Sequence, residues 1–170
     1  EIRFRGIENA LNRLANNGVP NQTQTEWEKD KVFYVDSFKG LNSIAWVDQS
    51  YIIQMIAPLS GHQVFLDKKP SEIKLEPSDL SLTIPVYQGT KLVGFIFGII
   101  DIKAFAEPII VDIEDDFLFQ LSDEGVPIFR STNWEDAQEG FTESSSIDLH
   151  GTNVLNLSLT PSKEQINFQL

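Results

Sequence analysis

The chain has 170 residues, enough for one domain or two very small ones, and its 41% hydrophobic, 11% aromatic and 22% charged residues exclude intrinsic disorder. Against 25 acidic side chains stand 13 basic ones, a net charge of -12 that repels phosphate backbones and argues against a nucleic-acid partner. The absence of Cys removes thiol catalysis, Cys-ligated zinc, iron-sulfur clusters and disulfides together.

Glu1 is followed by neither a basic leader region nor an apolar one, so the chain reads as a piece of a longer protein. Ile7, Ala10, Leu11 and Leu14 follow the i, i+3, i+4, i+7 template of an amphipathic helix that stops near Asn17 and Gly18. A loop with Pro20 leads to a second helix, expected from about Glu26 to Phe38. Thr25 with Glu28 forms a capping-box pattern there, and Trp27, Tyr34, Val35 and Phe38 form the stripe. After Gly40 the texture changes to strands. Ser43 to Val47 and Tyr51 to Ala57 read as a first hairpin, Leu82 to Tyr87 and Leu92 to Asp101 as a second. Between them, Ser60 to Asp79 is polar, contains Pro70 and Pro77, and reads as a long connection with one short helical turn. A short helix with Asp101 as its cap is expected to Ile109. A third hairpin follows, Phe117 to Leu121 with Val126 to Phe129 around Asp123, Glu124 and Gly125. A fourth pairs Ser145 to Leu149 with Asn153 to Thr160, whose alternating Leu155, Leu157 and Leu159 predict one wet face. Helices first, then antiparallel hairpins, is an α+β pattern; two small sheets or one extended sheet both fit it. The longest strongly apolar run, Leu92 to Ile100, is far short of the roughly 20 residues a spanning helix needs.

The sequence holds no phosphate loop, nucleophile elbow, paired-histidine zinc helix or calcium-loop spacing. No cofactor and no metal site is expected. His62 and His150, the two histidines, lie in a polar connection and a turn, and the acidic run Asp112, Glu114, Asp115, Asp116 reads as a solvated face. Asp67 and Asp101 stand directly against apolar stretches, where a carboxylate needs a partner to offset its desolvation; a cap or turn is the plainer role, ligand contact the other. Gly94 and Gly98 point to one face of one strand and leave space for a packed helix or a bound molecule. An apolar pocket is expected from Trp46, Met55, Phe65 and Phe97, with Gln54, Thr83 and His62 as the polar groups that orient a small ligand and Asp67 as a further ligand-binding residue. For each aromatic the plainer reading is core.

The order of these elements resembles the extracytoplasmic CHASE sensor domains of receptor kinases and cyclases, relatives of the PAS-like and Cache sensors. The resemblance runs from about Trp27 to Pro161. It is carried by Phe38-Lys39-Gly40-Leu41-Asn42-Ser43-Ile44-Ala45-Trp46-Val47-Asp48, by Ala57-Pro58-Leu59-Ser60-Gly61, by the paired strands ending at Asp101-Ile102, and by the closing hairpin from Phe141 to Pro161. The chain departs from the family after Leu66-Asp67, where only Lys68 to Asp79 stands in place of an extra helix and loop that cover the ligand.

The resemblance implies a PAS-like α+β fold: an N-terminal helical stalk over 1–40, a membrane-distal sheet over 41–110 and a smaller membrane-proximal β part over 111–170. It implies a non-enzymatic sensor on the extracytoplasmic side of a membrane-anchored receptor, a histidine kinase in a two-component system, that binds a small molecule. Flanking transmembrane helices and a homodimer across the Ile7, Ala10, Leu11, Leu14 stripe belong to the same expectation. The rival is a spacer or dimerisation module that binds no small molecule.

Overall fold

The computed structural model describes residues 2–110, 116–136, 142–149 and 153–162. They form two compact units, Glu1–Asp101 and Ile102–Leu170. The first contains α1 (Ile2–Asn16), α2 (Gln24–Ser37), β1 (Leu41–Asp48), β2 (Ile53–Ala57), β3 (Asp79–Gln88) and β4 (Lys91–Asp101). Its four strands form one antiparallel sheet in the order β2-β1-β4-β3, so the two expected hairpins join along β1 and β4.

The stripe expected on α1 is the face it buries: Ile7, Ala10, Leu11 and Leu14 are all 5% exposed or less. Packing against β3 and β4 supplies the stability that a helix this short lacks in water. α2 starts two residues before its expected position. Thr23, not Thr25, is the N-cap; its hydroxyl accepts from the Glu26 N–H at 3.3 Å, and the Glu26 carboxylate accepts from the Thr23 N–H at 2.8 Å. That leaves Glu28 to accept from the Leu59 N–H at 2.8 Å, tying the helix to the chain beyond β2. Of the expected α2 stripe only Trp27 is buried, joined by Lys31 one turn later.

The sheet is covered on both sides. Ile44, Trp46, Ile96 and Gly98 share the face beneath the helices, by strand alternation and by the Leu11 methyl that fills the space at Gly98. On the opposite face Ala45, Val47, Ile53, Ile56, Phe97 and Ile99 form a core closed by Ile73 and by the half-buried Leu59, Phe65, Leu66 and Leu75 of the connection. That connection carries two 3₁₀ turns, Gln63–Phe65 and Pro70–Glu72, where the sequence suggests one.

The second unit contains α3 (Ile102–Ile110), β5 (Phe117–Asp123), β6 (Val126–Arg130), β7 (Glu143–Leu149) and β8 (Asn153–Pro161). Its sheet repeats the first sheet's plan, β6-β5-β8-β7. Across β7 and β8, Ser144 faces Ser158 and Ser146 faces Asn156, a hydrogen-bonded polar row, while Leu155 on the other side is buried. This is the wet face that the alternating leucines predict. α3 packs on β6, with the Lys103 ammonium 5.9 Å from the Phe129 ring.

Asp101 ends β4, paired with Asp79, and α3 starts after it. The helices expected as a stalk over 1–40 lie on the first sheet, and the unit boundary falls after Asp101, not after 110. His150 and, of the acidic run, Asp112, Glu114 and Asp115 lie outside the described residues. Among the described residues no helix is long and apolar enough to cross a membrane.

Candidate functional site

The residues proposed from sequence fall on both faces of the first sheet, on β2 beside the first turn, and in the connection, where Phe65 is half-buried against the core. Trp46 and Met55 are paired across β1 and β2 and are buried on the helix-covered face. The Trp46 ring lies over Gly94, so a side chain of the sheet itself occupies the space that glycine leaves. Phe97 pairs with Ala45 and Thr83 and is buried on the opposite face, in the core beneath the connection. Thr83 shares that face but lies exposed on the edge strand β3. Gln54 donates from Nε2 to Asp48 Oδ2 at 2.8 Å, and Asp48 Oδ1 accepts from the Ser50 and Ile52 N–H groups, so Gln54 belongs to the turn of the first hairpin. His62 Nδ1 donates to the Pro58 carbonyl at 2.9 Å, and its ring lies 5.5 Å from Phe65. Asp67 has φ 62°, in the left-handed region, and its N–H donates to the Ile53 carbonyl at 2.9 Å. Phe97 and Thr83 meet; Trp46 and Met55 meet on the other side of the sheet. No single site gathers them all.

A cleft of about 270 Å³ opens elsewhere, where α1 ends and α2 begins. α1 stops at Gly18, whose φ of 76° suits a residue without Cβ, and the segment through Pro20 to Gln22 turns the chain back to the Thr23 cap. The floor is apolar: Leu14 of α1, Trp27 of α2 and Ile96 of β4. Trp27 is fixed by its indole N–H, which donates to the Ile44 carbonyl at 3.2 Å. Asn17, Asn21 and Gln22 complete the lining.

Lys31 is the unusual member. It follows Trp27 by four residues, so both project from the same side of α2, and its side chain is drawn down among apolar neighbours until 9% of the residue remains exposed. Its ammonium lies 4.7 Å from the centre of the Trp27 ring, and among the described residues it has no hydrogen bond or ion pair. Burial pushes its pKa below the ordinary lysine value; the nearby Asp30 carboxylate acts in the other direction without cancelling the effect. Asp30 is itself exposed and accepts a hydrogen bond from the Gln22 side-chain amide. A desolvated cation beside an open apolar space is poised to receive an anion.

Lys31 escapes a reading of hydrophobic periodicity because lysine counts there as a polar position. The available signal is its place: it stands between Trp27 and Tyr34 on the stripe itself. Among the described residues no three acidic or imidazole side chains gather as a metal site.

No family model matches the chain, and no curated protein matches it in sequence. Among solved structures, an extracellular ligand binding receptor from Desulfohalobium retbaense resembles it with a TM-score of 0.68 at 14% identity, over 93% of this chain and 37% of that one. The chain thus spans well under half of that receptor's length. The likeness takes in both sheets, and the chain shares the α+β, PAS-like fold of that receptor's matching part.

Proposed function

We propose that the chain is the ligand-sensing, extracytoplasmic part of a membrane-anchored signal-transduction receptor and performs no catalysis of its own. The observation that carries this is the likeness to an extracellular ligand binding receptor over 93% of the chain. The CHASE-like order of motifs, from Phe38 to Asp48 and from Ala57 to Gly61, supports the finer assignment to a sensor histidine kinase with flanking transmembrane helices. The cleft at Lys31 supports a binding role, because it is bordered by α1, α2 and β4 at once. A molecule held there binds one arrangement of these three elements better than another and shifts their populations by that difference in affinity. For allosteric sites such coupling is typically about 1 to 3 kcal/mol.

A thermal-shift screen of small acids, amines, alcohols and sugars tests this. A ligand at 100 times its Kd adds about 2.7 kcal/mol of stability, a shift that such a screen resolves. A reproducible, saturable hit is expected; silence across chemically broad sets leaves the spacer module instead. The gene on either side supplies a second check: apolar segments of about 20 residues are expected to flank the region, and finding neither removes the membrane receptor.

A further inference from the structure

We infer that the cleft between the end of α1 and the first turns of α2 binds a small organic monoanion, its carboxylate meeting the Lys31 ammonium and its apolar body lying on Leu14, Trp27 and Ile96. This rests on the sensor reading and names the chemistry of the ligand. Three observations support it.

Lys31 is more than nine-tenths buried, lines the cleft and has no hydrogen bond or ion pair among the described residues. The stem is buried on apolar surface, while the ammonium, beside the Trp27 ring, keeps access to the cleft, where an entering anion can reach it. An anion entering the cleft completes that pairing, and it does so where solvent screens the attraction little.

The size and lining set the class. About 270 Å³ is roughly nine times the 30 Å³ that one water occupies in the liquid, enough for a compact organic acid. A floor of leucine, isoleucine and indole favours an apolar body over a polyol, and the lining includes Asn17 and Asn21, residue types whose side chains carry donors. The third observation is Asp30. Asp30 also lines the cleft, so a second negative charge on the ligand meets repulsion there, and Lys31, the one basic residue of the lining, is already engaged by the first charge. One charge is accepted and two are selected against.

The test is titration of the full chain, at constant ionic strength in sodium chloride, with butyrate and benzoate as probes, succinate as the dianion and butyramide as the neutral analogue. Saturable binding of one or both monocarboxylates is expected, at least tenfold tighter than succinate or butyramide. Lys31→Met weakens it tenfold or more and raises the unliganded melting temperature, because it removes a partly desolvated charge while keeping the packing stem. Lys31→Arg restores part of the affinity. Asn21→Phe, an exposed rim position, closes the entrance and gives the same loss without touching Lys31. Unchanged monocarboxylate affinity in both Lys31→Met and Asn21→Phe overturns the inference, as does equal binding of butyramide. Chloride or phosphate matching the carboxylates in affinity also overturns it, since the site then reads charge alone. If the broad screen instead yields a neutral or cationic ligand indifferent to Lys31→Met, the sensor reading stands and only this inference falls.

Discussion

A methyl group added at Gly94 would sit 2.5 Å from the Trp46 ring and equally close to the Val47 carbonyl oxygen, and a backbone oxygen in the middle of a sheet has nowhere to go. At Gly98 the nearest atom is a Leu11 methyl at 2.9 Å, the far end of a side chain that turns aside at small cost. Gly94→Ala is therefore expected to cost about 2 to 3 kcal/mol, the upper range for overpacking, and Gly98→Ala less than about 1 kcal/mol. Urea unfolding of the two variants checks this; equal midpoints would contradict it. Both glycines are legible in the sequence as a space on one strand face, since alternation alone places them together. What fills the space is not, because Trp46 and Leu11 reach it from another strand and from a helix. The same limit applies to the pocket residues. Trp46, Met55 and Phe97 announce burial by type, but adjacent strands send Phe97 and Trp46 to opposite faces, and only the register decides which residues meet.

Among the elements, α2 does more than cover the sheet. Gln24, in its first turn, donates from Nε2 to the Ile56 carbonyl at 2.7 Å and accepts from the Ile56 N–H at 3.0 Å, so one side-chain amide pairs with the outward backbone of β2 as a neighbouring strand would. Farther along the same edge Ile53 exchanges bonds with Asp67 and Lys68 of the connection, both at 2.9 Å. An edge treated in this way offers no template for another chain. Gln24→Ala removes both partners of Ile56 and is expected to cost about 1 to 3 kcal/mol, with faster amide exchange at Ile56 while exchange in β3 is unchanged. Uniform acceleration across the sheet would mean that Gln24 contributes only to global stability. The hairpins were readable because turn chemistry is local: Gly89, and Glu124 with Gly125, take positive φ between their strands. The phase of α2 was harder. Periodicity marks Trp27, Tyr34, Val35 and Phe38 as one face but gives no measure of how far the helix overlaps the sheet. Its later turns run past the covered region, where Phe33 is 71% exposed.

At the scale of the whole molecule, the repeated strand order could not be read from spacing, because it depends on β1 meeting β4 and β5 meeting β8, contacts between segments far apart in sequence. Net charge, by contrast, is explicit in composition, and the fold concentrates part of it. Asp79 and Asp101 face each other across β3 and β4. Asp79 is held above the usual carboxylate range first by burial and then by repulsion from Asp101 and Glu76, while the Glu76 N–H, donating at 3.2 Å, and His62 act against the shift. The sign follows from linkage: an acid whose folded pKa is raised stabilises the fold when protonated, below its unfolded pKa, and that stability is lost as pH rises through the folded pKa. Asn in this place imitates the protonated acid and keeps an oxygen for the Glu76 N–H. Asp79→Asn is thus expected to be more stable than the parent at pH 7. The gain is modest, below about 1 kcal/mol, because the partly exposed carboxylate is screened by solvent. It should shrink as added salt weakens the repulsion from Asp101 and Glu76, and close as acid protonates the parent's carboxyl. Melting temperatures of the two proteins from pH 3.5 to 7.5, at low and high salt, decide the matter. A difference that widens on acidification would mean that the Asp79 carboxylate is stabilised in the fold, with its bond to the Glu76 N–H outweighing burial and its acidic neighbours.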